Sequence, residues 1–377
     1  MGPVKGSSSN PYKIAILSGD GAGPTMADAA VRVLQELTSY AEIHFDFQYA
    51  DYGASAYEKS GKLVTPETVE ICRESDAVLR SYQGLARGKG KDGSAHLQLR
   101  DELGLFAQYR PVIIYPALAG QSTLRKEIVT NVDIMLVREI SAGALGAESI
   151  VKEESQVSEI RYSKDQISAI ASAALQIALQ RNGDILNVDK ADALSISRFW
   201  RRIVHETIES EAKGNDRVRL NDMYVDDFVR EIILRPGDFD VIVTSNLFGD
   251  ILAEVIAALA GPLRYSPSYW VNREGLGVFG PADIYNASAY PDENEVASPI
   301  ALIRSASMML RYALEEPAAA NIIQTALRKS MEELVVPPLN GNGQPSMGAS
   351  EYTDIVTRSM QLMRQFEQVC DPTECGE

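Results

Sequence analysis

Residues 243–254 read Val243-Thr244-Ser245-Asn246-Leu247-Phe248-Gly249-Asp250-Ile251-Leu252-Ala253-Glu254. The β-branched run Val241 to Thr244 predicts a buried strand, and the residues after it predict a helix. On a helix, residues four apart share one face, so Asp250 and Glu254 present their oxygens to the same side. Such a pair can hold a hard divalent cation, Mg²⁺ or Mn²⁺. An isolated pair is more often a solvated helix N-terminus, where acids offset the macrodipole. Here two other segments accompany it. Asp222-Met223-Tyr224-Val225-Asp226-Asp227 supplies a third carboxylate upstream, and Asn187-Val188-Asp189-Lys190-Ala191-Asp192 ends another strand-like run on a lysine.

Working outward, Lys13 to Leu17, Ile113 to Tyr115, Ile134 to Val137 and Ile185 to Val188 read as further strands. Met26 to Leu37, Ile167 to Gln180 and Arg198 to Ser210 carry helical spacing. Strands alternating with helices predict an α/β architecture. Between the first strand and helix lies Gly19-Asp20-Gly21-Ala22-Gly23-Pro24. Glycine-rich turns of this kind cradle phosphates, but the order of a dinucleotide fingerprint is absent, so the cluster alone is a weak signal. Near the other end, Asn340-Gly341-Asn342-Gly343 reads as a loop.

The 377 residues suffice for two domains, and 45% hydrophobic with 23% charged residues is an ordinary globular composition. A formal charge of −16 with no basic block argues against a nucleic-acid partner, because binding phosphate needs a basic face. Of three cysteines, Cys370 and Cys375 fall in a polar tail, so a disulfide framework is not expected and a reducing compartment fits. Met1 to Pro11 has neither a signal-peptide core nor transit-peptide arginines, and reads as a disordered leader. Gly6 stands where a myristoylation motif wants serine or threonine. No apolar run approaches the roughly 20 residues that span a bilayer. A soluble, cytoplasmic protein is expected.

Several pieces in order carry a resemblance: Gly19 to Pro24, Leu99-Arg100, Tyr109-Arg110-Pro111, Val137-Arg138-Glu139, Val188 to Ala191, Tyr224-Val225-Asp226, Asn246 to Glu254, and Ser305 to Tyr312. In these the chain resembles the β-decarboxylating dehydrogenases, the family of isopropylmalate, isocitrate, homoisocitrate and tartrate/D-malate dehydrogenases, over nearly its whole length. The resemblance implies a two-domain open α/β fold with a discontinuous first domain, residues 1–105 plus 261–377, and a second domain, 106–260. It implies Asp226, Asp250 and Glu254 as ligands of Mg²⁺ or Mn²⁺, with Glu254 replacing the family's usual aspartate. Lys190, together with Asp226, is the implied catalytic pair, and the lysine must have its pKa lowered to act near neutrality. Outside this motif, a lysine at a strand end is a surface ion-pair partner. Arg100, Arg110 and Arg138 correspond to the arginines that grip a malate core, a role suited to bidentate, always-charged guanidinium groups. His96 falls where isopropylmalate enzymes carry a leucine against the substituent. Imidazole there suggests a polar or acidic substituent, and a solvent-facing histidine competes with that reading. Ser141 to Ser163 corresponds to an arm that reaches a second subunit, against the plainer reading of a surface loop. A homodimer is implied, with the lysine and the first metal aspartate donated across the interface.

The chain also departs from the family pattern. The loop that wraps the adenosine half of a nicotinamide cofactor reads Gly277 to Ile284 without its histidine, which leaves Asp283 as the one candidate for a ribose hydroxyl. Tyr82 to Arg87 replaces a Gly-Gly-Pro loop, and Asp192 replaces the asparagine after the lysine. No tyrosine stands near Ala144-Leu145, where the family's proton donor is expected. The reading is therefore a metal-dependent oxidation and decarboxylation of a 3-substituted malate or related 2-hydroxy diacid, linked to NAD or NADP. The alternatives are a lyase or isomerase that forms an enolate on the same metal and lysine without nicotinamide, and a silent homologue paired with an active paralogue.

Overall fold

The structure, a computed structural model, describes residues 4–82, 94–122, 124–130, 132–145, 147, 149–259, 266–282, 298–333 and 348–369. The chain divides into two compact units, Met1–Leu103 with Glu274–Glu377, and Gly104–Arg273. The first unit opens with β1 (Tyr12–Leu17), α1 (Gly23–Ala41), β2 (Phe45–Ala50), α2 (Ala54–Ser60), α3 (Pro66–Arg73), β3 (Ala77–Arg80) and α4 (Ala95–Glu102). The second contains β4 (Ala107–Ile113), α5 (Lys126–Val129), β5 (Asp133–Glu139), β6 (Ser149–Val151), β7 (Gln156–Ser158), α6 (Lys164–Leu179) and β8 (Asp184–Asp189). It continues with α7 (Ser195–Glu211), β9 (Arg219–Tyr224), α8 (Val225–Leu234), β10 (Val241–Thr244), α9 (Asn246–Leu259) and β11 (Pro267–Val271). The first unit then resumes with β12 (Gly277–Pro281), α10 (Ile300–Tyr312), α11 (Pro317–Glu333) and α12 (Ala349–Val369).

Within the first unit, strands lie in the order β2-β1-β3-β12, paired in parallel. Every residue of β1 except Lys13 is buried, the two-sided burial that parallel strands need. Helix α1 has a proline in its first turn and buries Met26, Ala30, Val33, Leu34 and Leu37, spaced by three or four. Each large apolar side chain so buried contributes about 1.5–3 kcal/mol. The expected disordered leader is corrected over its described part. Gly6 N–H donates to Asn10 O (2.8 Å), His44 N–H donates to Gly6 O (2.8 Å), and Lys5 pairs with Asp76 (2.8 Å). Residues 4–10 thus close a turn against the start of β1. Polar composition concealed this, because backbone groups rather than apolar side chains make the contacts.

The glycine cluster after β1 serves packing and capping. A Cβ at Gly23 would meet Ser18 O at 2.3 Å and Tyr82 O at 2.9 Å. The Asp20 carboxylate accepts the N–H groups of Ala54 (2.8 Å) and Ser55 (2.7 Å), satisfying the head of α2. Its close approach leaves room only for glycine at position 53, where φ is +84°.

In the second unit the order is β11-β4-β5-β10-β8-β9. Strands β5, β10, β8 and β9 are mutually parallel, β4 is antiparallel to β5, and β11 is antiparallel to β4. All four parallel strands therefore end at one edge, the edge at which open α/β sheets place their ligands. Strand β10 covers the expected Val241–Thr244 and is wholly buried. Beneath it Ile134, Leu136, Phe228, Ile242, Leu252 and Ile256 pack in one cluster. The strand expected at Ile113 to Tyr115 is displaced: β4 runs from Ala107 to Ile113. Gln108, Arg110 and Pro111 hid it, since a central strand seldom carries buried polar side chains or proline, yet here all three pair with β5. The second unit also extends past the expected boundary at residue 260, because β11 pairs Tyr269 with Tyr109 and stacks their rings at 4.4 Å.

Ser141 to Ser163 contains the antiparallel hairpin β6–β7, paired Ser149 with Ser158 and Val151 with Gln156. Among the described residues, no helix is long and apolar enough to cross a membrane. Cys72 is a free, buried thiol, while Cys370 and Cys375 lie outside the described residues.

Candidate active site

Two groups of charged side chains stand at the carboxyl edge of the second unit's parallel strands. The first joins β4, β5 and α9. Arg138 sits near the end of β5 beside Thr244 of β10, and α9 begins two residues later. Its Nε and Nη2 donate to Asn246 Oδ1 (3.1 and 2.7 Å), and its Nη1 donates to Asp250 Oδ1 (2.5 Å) and Gln108 Oε1 (3.3 Å). Asn246, fully buried, also donates through Nδ2 to Ala142 O (2.7 Å) and through its backbone N–H to the Tyr162 hydroxyl (3.0 Å). Gly249 lies against the Arg138 stem, where a Cβ would meet Cγ at 2.6 Å.

Arg110, 5% exposed at its side chain, donates through Nη1 to Glu254 Oε1 (2.8 Å). Its Nε and Nη2, the two donors on one edge of the guanidinium, are buried and have no hydrogen-bond partner among the described residues. Buried donors without acceptors are costly, by about 1–3 kcal/mol each and more on a charged group. Two parallel N–H groups match the two oxygens of a carboxylate. The helix face read from Asp250 and Glu254 is real, and each acid is engaged by a buried arginine.

The second group joins β8 and β9. Lys190 follows β8, Asp226 lies in the first turn of α8 after β9, and the register pairs Asp189 with Tyr224. Lys190 Nζ donates to Asp226 Oδ1 (2.7 Å) and Asp192 Oδ2 (2.9 Å), and lies 5.3 Å from the Tyr224 ring centroid. The expectation of a lowered lysine pKa is not met in the single chain. Hydrogen bonds to Asp226 and then Asp192 raise it, while the bond from Lys190 holds Asp226 below the usual carboxylate range. Asp192 is thus a second anchor for the lysine.

Among the described residues, no group of three or more acidic, histidine or cysteine side chains is placed to hold a metal ion. One chain brings Asp250 and Glu254 together on α9 and keeps Asp226 with Lys190. The donor set is oxygen only, which fits Mg²⁺ or Mn²⁺.

In the first unit, His96 is buried at 4% exposure on α4 and is hydrogen-bonded to the Ser94 hydroxyl, so the solvent-facing alternative does not hold. Arg100, on the same helix, donates from Nε to Asp101 (3.1 Å) and is mostly buried. Asp283, residues 83–87 and residues 340–343 lie outside the described residues. At Ala144-Leu145 there is indeed no tyrosine. The Tyr162 hydroxyl packs against Gly143, accepts the Asn246 N–H, and is pushed up to about 12 by burial. The loop after β5 is further fixed by Glu139, whose carboxylate accepts the Ser141 N–H (2.8 Å) and Ala142 N–H (3.1 Å). Sequence reading missed Gln108, Asn246 and Gly249. The signals for them were that Gln108 directly precedes the motif of Arg110 and that Asn246 and Gly249 lie inside the motif of Asp250.

A two-unit α/β chain that gathers paired acids, arginines and a lysine at one strand edge has the charged groups of an enzyme that handles small acids. The family model described as isocitrate/isopropylmalate dehydrogenase matches residues 13–356. A 3-isopropylmalate dehydrogenase of Prochlorococcus marinus (strain MIT 9312) is 38% identical over 333 residues, 85% of this chain and 91% of that protein. One from Moorella thermoacetica is 35% identical over 365 residues, covering 93% and 99%. Among solved structures, the isocitrate dehydrogenase from Methylococcus capsulatus matches with a TM-score of 0.79 at 26% identity, covering 93% of this chain and 99% of that one. The β-decarboxylating dehydrogenase from Thermococcus kodakarensis, in its apo form, matches at 0.77 and 27%, covering 95% and 98%. The chain belongs to the isocitrate/isopropylmalate dehydrogenase family and is an oxidoreductase of the β-decarboxylating type.

Proposed function

We propose that the protein oxidises and decarboxylates a 3-substituted malate or related 2-hydroxy diacid, with Mg²⁺ or Mn²⁺ and with NAD or NADP as hydride acceptor. The observation that carries this reading is the buried edge of Arg110. Its Nε and Nη2 have no acceptor among the described residues, next to Glu254 and in the same unit as the Arg138–Asp250 pair. A carboxylate of the substrate satisfies that edge bidentately, and Arg138 holds a second. Arg100 and His96 are the further residues we assign to the substrate, and Asp283 to the cofactor ribose. Asp226, Asp250 and Glu254 are the residues that hold the cation, which when bound polarises the substrate oxygen and stabilises negative charge.

Lys190 takes the hydroxyl proton. Asp226 and Asp192 keep it as an ammonium in the single chain, so it becomes a base only where those carboxylates are drawn elsewhere. We further propose a homodimer in which each site draws Lys190 and Asp226 from the second chain. Separation of the acid groups within one chain supports this, as do the apolar side chains of the β6–β7 hairpin, Ile150 at 59% and Val151 at 74% exposure. The paucity of cysteine favours the cytoplasm.

The test is turnover by the full chain with Mg²⁺ or Mn²⁺ across malate, tartrate, isocitrate and isopropylmalate, with NAD, with NADP and with neither. Nucleotide reduction that Lys190→Ala abolishes supports the reading. Conversion of a diacid without nucleotide selects enolate chemistry instead, and inactivity in every condition selects the silent homologue.

A further inference from the structure

Behind Lys190 and Asp226 lies a network the reaction itself does not use. Arg201, on α7, donates through Nε and Nη2 to the two oxygens of Asp189 (2.8 and 2.7 Å). Asp189 is 2% exposed and is the last residue of β8; its Oδ1 also accepts the Ala191 N–H (2.8 Å), so it grips the peptide just beyond Lys190. The same guanidinium lies 3.6 Å from Asp222 and 5.2 Å from the Tyr224 ring centroid, both on β9. Asn187 completes the tie, donating to Asp189 (2.8 Å) and Asp222 (2.7 Å) while it accepts from Trp200 Nε1 (2.9 Å). One arginine therefore joins the ends of two neighbouring strands, and those ends deliver Lys190 and Asp226.

We propose that Arg201 is a positioning residue: its fork on Asp189 and its contact with Tyr224 set the relative height at which β8 and β9 present Lys190 and Asp226. This rests on the function proposed above for that pair. Charge alone does not supply the constraint, because a lysine reaches one oxygen where the planar fork fixes both. Bound partners one layer behind a reacting group typically govern about 10–100-fold in metal affinity or activity.

The molecule contains its own control. Arg181 makes the same kind of clamp at the opposite ends of the sheet, donating to Asp240 (2.5 Å), just before β10, and to Asp133 (2.9 Å), the first residue of β5. Arg201→Lys and Arg181→Lys each remove a fork, and each is measured for thermal unfolding, for kcat and KM, and for Mn²⁺ binding to the full chain without substrate. We expect Arg201→Lys to lower kcat by about 10–100-fold with KM nearly unchanged, and to weaken Mn²⁺ binding, while Arg181→Lys alters unfolding alone. Equal kcat and Mn²⁺ affinity in the two variants overturns the proposal. Should Arg201→Lys fail to fold, Asp189→Asn receives the same measurements: a fall in kcat and Mn²⁺ affinity relative to Arg181→Lys supports the positioning role, and equality overturns it. If the wild type turns over no diacid with nucleotide, the proposed reaction fails, and Mn²⁺ affinity still separates the two clamps.

Discussion

Replacing Gly249 by alanine tests whether the carboxylate grip is as tightly built as its contacts indicate. A Cβ there would stand 2.6 Å from Arg138 Cγ and 2.9 Å from its Cβ and Cδ. Carbon pairs settle at about 3.5–4.0 Å, so the arginine stem must retreat by about 1 Å. It has little freedom to do so, because Asn246, Gln108 and Asp250 hold the far end at 2.5–3.3 Å. Alanine ordinarily gains about 1 kcal/mol over glycine inside a helix, whereas overpacking costs about 1–3 kcal/mol. The net expectation is a loss of about 0–2 kcal/mol in urea unfolding. Function should suffer more, since a displacement of about 1 Å at a substrate anchor costs about 100-fold. Steady-state kinetics with the best diacid should therefore show a large fall in kcat/KM in a protein that still folds. A variant stabilised by about 1 kcal/mol, with kcat/KM unchanged, would refute the reasoning.

Arg110→Lys keeps the charge and removes the fork; at about 1.5–3 kcal/mol for a hydrogen bond to a charged group, KM for the diacid should rise about 10–150-fold with little change in fold. An unchanged KM means that the buried edge of Arg110 does not meet the substrate. Alkaline pH should destabilise the protein: burial pushes Cys72 up from 9.0 to about 12 and Tyr162 up from 10.0 to about 12, so the native state keeps protons that the unfolded chain has lost. That stabilisation is complete below the ordinary values and is lost as pH rises towards the folded ones, so the melting temperature should fall between about pH 9 and about pH 12. A flat or rising profile contradicts the assignment.

The legible part of the fold was wherever apolar runs were unbroken. Val241–Thr244 and Ile185–Val188 declare themselves because strands buried on both faces need nothing but β-branched residues. Strand β4 did not, because its buried Gln108 and Arg110 are satisfied by Arg138 and Glu254, partners on other elements that break the apolar pattern. The same holds for the site. The shared helix face of Asp250 and Glu254 could be read from their spacing, and Lys190 and Asp226 entered as candidates through the resemblance, whereas Arg201 could not be found either way: its partner Asp189 sits twelve residues upstream on another element, and only the return of α7 onto β8 brings them together. Asp20 was read correctly as part of a special turn, yet its capping of α2 depends on residues more than thirty positions away.

Each acid proposed for the metal is paired in the single chain with a cation proposed for another part of the reaction, Asp250 with Arg138, Glu254 with Arg110 and Asp226 with Lys190. These pairs keep partly buried charges satisfied before any ligand arrives, since an unpaired buried charge is costly. They also couple the ligands. On the proposed function, a cation that drew on Asp250 and Glu254 would weaken their hold on Arg138 and Arg110 and free those guanidinium groups for substrate carboxylates. A diacid that engages the arginines equally releases the acids. Linkage requires the two effects to be equal in free energy, whichever ligand binds first. Mn²⁺ should therefore bind the full chain more tightly when malate is present, and malate more tightly by the same factor when Mn²⁺ is present, with typical couplings of about 5–150-fold. Independent binding of the two would mean that the ion pairs of the single chain do not persist at the site, and that the metal and the diacid are held by separate sets of residues.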